Sequence, residues 1–138
     1  MEKLKLSLDL LKKILDTLND GFNVLEEAKA TNSKTLILAA QDSIIQRFEY
    51  SFESFWKFFK RYLLVVFDIQ DVNSPKKVFR ACVKLQLYSE EEGEILIDMA
   101  DDRNETTHSY SIEKVRIILT DVPLYYETMM SILIRISF

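Results

Sequence analysis

The stretch Gln41-Asp42-Ser43-Ile44-Ile45-Gln46-Arg47-Phe48-Glu49-Tyr50-Ser51-Phe52-Glu53-Ser54-Phe55-Trp56-Lys57 decides the fold. Around it, Leu38, Gln41, Ile45, Phe48, Phe52, Phe55, Phe59 and Tyr62 recur at alternating spacings of three and four, and Ile44, Trp56, Leu63 and Val66 broaden the stripe. That period predicts one long amphipathic helix from about Lys34 to Val66, its apolar side turned to a core. Aromatic side chains also serve as stacking platforms for single-stranded nucleic acid. At helical spacing, however, each ring buries ~150–250 Å², and a core is the plainer use. Gln41 and Arg47 lie beside the apolar face and need partners if buried. Glu53 and Lys57, four apart on the flank, form a surface pair worth only ~0.2–0.5 kcal/mol.

The rest of the chain supports an all-α reading. Among 138 residues there are only two glycines and two prolines, and these are the chief punctuation of turns and hairpins. Few, long elements follow. The length suits a single domain, residues 1–138, able to bury a core without metal or disulfide staples. A net charge of −4 gives no electrostatic footprint for duplex nucleic acid, although a local basic patch or a dimer cleft remains open to RNA. The one cysteine, Cys82, lies on an apolar helical face with Val78, Phe79 and Val83 and reads as a buried thiol. Charges at Glu2, Lys3 and Lys5 argue against a signal peptide, and the longest apolar run, Tyr62 to Phe67, is too short for a bilayer. A soluble cytoplasmic protein is the expectation.

In chain order, Leu4, Leu8, Leu11, Leu15 and Leu18 predict a first helix from about Glu2 toward Ala30. Asn19-Asp20-Gly21 is the best turn signal in the sequence and predicts a stop or kink there. Ser33 caps the long second helix. Ser74-Pro75 opens a third helix reaching about Leu87, and Ser89 with Glu92 forms a capping box for a fourth. Glu90, Glu91 and Glu92 complement that helix's dipole. Ser111 starts a last helix to about Ser137, gently kinked at Pro123. Its C-terminal part, Met129 to Phe138, is apolar around most of its circumference, which predicts a homodimer interface. The sum is an up-and-down antiparallel bundle of four to five helices.

One constellation has the makings of chemistry. Asp101-Asp102-Arg103-Asn104-Glu105-Thr106-Thr107-His108-Ser109-Tyr110 holds the sole histidine. On a continuous helix, positions five apart are rotated by ~140°, so Arg103 and His108 address one atom only if the helix ends first. Thr106, Thr107, Ser109 and Ser111 favour caps and turns over helix interiors, which predicts a helix end near Glu105 or Thr106. Histidine can then give or take a proton while arginine matches phosphate geometry, a pair suited to RNA cleavage through the ribose 2′-hydroxyl without metal or cofactor. Asp98, Asp101, Asp102 and Glu105 could suggest magnesium, but acids here are more often solvated or paired with Arg103. On the residues alone, a histidine that caps a helix or pairs with a neighbour outweighs a catalytic one.

Arg103-Asn104-Glu105-Thr106-Thr107-His108 resembles the Arg-x4-His motif of the HEPN superfamily. With Ser109-Tyr110 added, it is similar to the longer form found in HEPN toxins paired with minimal nucleotidyltransferases. Gln41 to Lys57 resembles the signature helix of the nucleotidyltransferase substrate-binding protein family, and the likeness runs along essentially the whole chain. The resemblance implies an all-α HEPN-like bundle that forms a homodimer, bringing two Arg/His pairs toward one cleft. It also implies a minimal nucleotidyltransferase as partner, commonly encoded alongside. In the toxin reading, Arg103 and His108 are the ribonuclease residues, Asn104 supports them, and Tyr110 is the tyrosine that the partner adenylylates (AMPylation) to silence the toxin. In the alternative, the protein is a non-catalytic subunit that binds a nucleotide or other substrate for the nucleotidyltransferase.

Overall fold

The computed structural model describes residues 1–108, of which 107 and 108 by backbone only, and residues 111–138. Among the described residues, five helices make up the fold: α1 (Glu2–Ala30), α2 (Lys34–Phe67), α3 (Pro75–Lys84), α4 (Glu90–His108) and α5 (Ile112–Arg135). The helical bundle expected from the sequence is present, with three long helices and two shorter ones.

The local signals that place the helix starts are ordinary caps. Ser33, Ser74 and Ser111 each accept a hydrogen bond from the backbone N–H three residues on, at Leu36, Lys77 and Lys114, which satisfies a donor the helix leaves orphaned. The capping box closes in both directions: Ser89 N–H donates to Glu92 Oε1 at 2.8 Å and Glu92 N–H donates to Ser89 Oγ at 3.1 Å. Arg135 of α5 reaches the same carboxylate with both terminal nitrogens, at 2.7 and 2.8 Å. This arginine is the leading reason the Glu92 carboxyl is held below its ordinary range. It also fixes the end of α5 to the turn before α4.

Three expectations about helix ends do not hold. Asn19-Asp20-Gly21 neither stops nor divides α1, which runs unbroken from Glu2 to Ala30. Gly21 instead marks close packing. A Cβ placed there would lie 3.3 Å from Ile44 Cγ1 and 3.5 Å from Arg47 Cδ of α2. The bare backbone leaves room for Arg47 Nη1 to donate to the Thr17 carbonyl at 2.7 Å, the partner a half-buried arginine requires. The second difference is in α4, which does not end near Glu105 or Thr106 but continues to His108. α3 is also shorter than predicted, closing at Lys84.

Cross-helix contacts fix the directions. Gly21 meets Ile44 and Arg47 while Thr17 meets Tyr50, so α1 and α2 are antiparallel. Lys76 pairs with Asp101 and Gly93 packs on Val83, so α3 and α4 are antiparallel. Asp102 meets Tyr125 and Glu92 meets Arg135, so α4 and α5 are antiparallel as well. α2 and α5 run in the same sense, with Phe48 stacked near Tyr125 and Tyr62 near Phe138. Those relations together make α3 run in the same sense as α2, because residues 68–74 travel back along the bundle before Pro75, so the up-and-down antiparallel order expected from the sequence fails between these two helices.

One hydrophobic core draws on all five helices. Phe48, Phe52, Phe55, Phe59 and Leu63 of α2 form its spine, with Phe58 buried beside them. Phe55 and Phe59 sit 5.0 Å apart, centroid to centroid, and both approach Tyr88. Burying each such ring contributes ~1.5–3 kcal/mol. Leu38 and Val66, assigned to the stripe from the sequence, are exposed. Cys82 is fully buried, as its apolar neighbours suggest, and burial pushes its thiol up to about 12.

Pro123 lies inside α5. By length and composition α5 is the one helix among the described residues that could cross a membrane, yet Ile118, Val122, Tyr125, Met129, Ile132 and Leu133 are core residues. Much of the apolar C-terminal part is therefore covered within the chain. Ile134, at 70% exposure, and Phe138 are not.

Candidate functional site

The candidate site lies where α4 packs against α2 and α5. Arg103 projects from α4 onto Glu49 of α2, with Nη1 at 3.0 Å from Oε2, and both side chains are less than a third exposed. Thr106, one turn on and 7% exposed, places its hydroxyl 3.2 Å from the same Oε2 and 2.8 Å from the Arg103 carbonyl. A buried threonine in a helix interior is tolerated because its hydroxyl has these acceptors. Local preference alone makes Thr106 a helix-ending residue; a tertiary acceptor on α2 outweighs it.

Asp102 faces the other way, into the α4–α5 seam, and accepts a short hydrogen bond from the Tyr125 hydroxyl. Burial raises the Asp102 carboxyl above its ordinary value; the Tyr125 hydroxyl pulls it down, and Asp121, Asp98 and Asp101 push it up again. Burial likewise raises the Tyr125 phenol, reinforced by its bond to Asp102 and that carboxylate's charge. Two of the other acids have partners. Asp101 pairs with Lys76 of α3, and Glu105 pairs with Lys114 of α5 at 3.3 Å. Among the described residues, no three His, Cys, Asp or Glu side chains cluster as a metal site.

The residues picked out by sequence thus have different fates. Arg103 is half-buried and ion-paired, and Asn104 is exposed on the neighbouring face of α4. His108 is the last residue of α4, and its side chain lies outside the described residues, as does the whole of Tyr110. Since α4 is continuous from 103 to 108, those two positions stand ~140° apart around one helix. The helix break that would let them converge within one chain is absent. Glu49, Thr106 and Tyr125 are the site residues that sequence reasoning missed. They lie 23 to 57 positions from their partners, and no local pattern announces them.

Chemically, the arrangement is an arginine already facing a carboxylate, in a neighbourhood rich in aspartate. It suits fixed recognition or helix-to-helix locking better than it suits adding a phosphate's charge.

Comparison with known proteins places this geometry in context. The sequence profile of the family described as nucleotidyltransferase substrate binding protein like matches residues 8–137. The fold is similar to that in a crystal structure of a protein from Thermus thermophilus, at 33% identity and a TM-score of 0.76, over 91% of this chain and 97% of that one. A comparison with curated proteins gives no match.

Proposed function

The chain belongs to the nucleotidyltransferase substrate binding protein-like family, and from that premise we propose that it is the helical partner of a small nucleotidyltransferase, holding a nucleotide or other substrate for it in the cytoplasm without doing chemistry itself. The observation that carries this reading is the engagement of Arg103 with Glu49 at 3.0 Å. A transition-state clamp needs cationic charge aimed at the place where negative charge develops. Here that charge is balanced by a carboxylate from another helix, with Asp101 and Asp102 next in the chain.

A second reading is favoured by the motif Arg103-Asn104-Glu105-Thr106-Thr107-His108-Ser109-Tyr110 itself. In it the protein is a metal-independent endoribonuclease toxin of a toxin–antitoxin pair, with Arg103 and His108 catalytic, Asn104 supporting, and Tyr110 adenylylated by the nucleotidyltransferase. On an unbroken α4 this chemistry requires Arg103 of one copy to work with His108 of another across a homodimer. Ile112, Ile117, Leu124 and Ile134 keep between 48% and 70% exposure along α5, apolar surface that such a dimer would cover.

The test pairs binding with cleavage. The purified chain is mixed with the nucleotidyltransferase of its source organism and, separately, with RNA. The substrate-binding reading expects a stable complex and intact RNA. RNA cleavage that is lost in both Arg103→Ala and His108→Ala, with added AMP on Tyr110 by intact mass after co-expression, would establish the toxin reading instead.

A further inference from the structure

We propose that the partner nucleotidyltransferase docks on the pair of grooves flanking Lys57 and Arg61, through an acidic segment with an apolar face; the inference rests on the partner reading above. One groove lies between α1 and α2, where Leu10 contributes to its wall. The other, about 670 Å³, follows the end of α2 past Leu64 and Val65 toward residues 69 and 70. Lys57 and Arg61, one helical turn apart, line both, and Lys60 lines the second.

Charge and apolarity coincide here. In a chain of net charge −4, neither groove has a carboxylate among its described lining residues. Leu10 is 60% exposed, and Leu64 and Val65 are each 46% exposed. Exposed aliphatic side chains on both sides of a cationic ridge mark an interaction site rather than scattered surface leucines. Asp68 accepts from Gln70 Nε2 at the second groove, and Glu53 lies 3.5 Å from Lys57, with which it pairs beside both grooves. That pair is solvent-exposed, and such pairs contribute little and exchange readily.

The chemistry selects the occupant. Nucleic acid asks for a row of cations with exposed stacking rings, whereas Leu10, Leu64 and Val65, the side chains exposed beside these cations, are aliphatic and Phe58 is buried. A second copy of the chain is disfavoured by symmetry. An isologous contact would set Lys57 and Arg61 near their own counterparts, and a head-to-tail contact leaves an open-ended polymer unless its rotation closes a ring. An amphipathic segment of another protein, acidic on one side, satisfies both the cations and the leucines.

The experiment measures the affinity of the full chain for the nucleotidyltransferase by calorimetry. Lys57→Glu with Arg61→Glu should weaken binding by about tenfold or more. Leu10→Asp with Leu64→Asp should do the same, Lys34→Glu at the far end of α2 should not, and the parent complex should weaken as salt rises. Circular dichroism checks each fold, with Lys57→Gln and Arg61→Gln replacing any reversal that unfolds the bundle. Unchanged affinity in both groove variants overturns the docking surface and leaves the partner reading standing. Absence of any complex with the parent chain removes both. A homodimer that the reversals dissociate in light scattering would give the surface to a second copy and likewise overturn the proposal.

Discussion

Glu49 of α2 and Arg103 of α4 form an ion pair at 3.0 Å across the bundle, and Thr106 leans its hydroxyl on the same carboxylate oxygen. One carboxylate therefore serves two groups that are largely out of solvent. Removing it takes an ion pair from Arg103 and one of two acceptors from Thr106. Glu49→Ala should lower unfolding free energy by about 1–2 kcal/mol, read by urea denaturation. Glu49→Gln, which keeps an acceptor for Thr106, should cost less. Equal losses in the two variants would mean that the carboxylate's charge, and not its oxygen, is what matters to α4.

The Asp102–Tyr125 contact predicts an unusual pH dependence. Burial raises the folded Asp102 carboxyl above its unfolded value, which is ~4. Between those two values the folded state binds more protons than the unfolded state, so this residue's contribution to stability falls as pH rises through the window and is most favourable below it. Asp102→Asn abolishes that slope while leaving an oxygen to accept from Tyr125. The stability of the variant relative to the parent should therefore improve as pH rises above about 4, followed by denaturation at several pH values. A difference that stays constant over that range would contradict the burial of this carboxyl.

Gly93 tests the packing of α3 on α4. A Cβ there would fall 2.5 Å from Val83 Cγ2, and a valine methyl has no flexible stem on which to withdraw. Gly93→Ala gains helix propensity worth ~1 kcal/mol but meets an overpacking cost of ~1–3 kcal/mol. The melting temperature should fall. In a Val83→Ala background the same change should be neutral or stabilising, the non-additivity expected of side chains in contact.

How much is legible in the sequence divides by range. Ser33, Ser74, Ser89 with Glu92, and Ser111 reveal themselves because a cap is a local arrangement of a few residues. The aromatic stripe of α2 is legible because its period belongs to one helix. Gly21 misleads because a glycine that allows close approach and a glycine that turns the chain look alike until Ile44 and Arg47 are placed beside it. Thr106 misleads for a similar reason, since its preference for a helix end is weak beside a hydrogen bond to Glu49, 57 positions away. The direction of α3 depends on how residues 68–74 travel, and no periodicity encodes that.

If the bundle holds substrate for a separate nucleotidyltransferase, adding the chain lowers that enzyme's substrate KM by about tenfold, equivalent to ~1.4 kcal/mol of added substrate binding, while RNA incubated with the chain alone stays intact. Comparing KM with and without the chain is the sharpest test of that role. An unchanged KM, together with RNA cut by the chain and spared by His108→Ala, would contradict it.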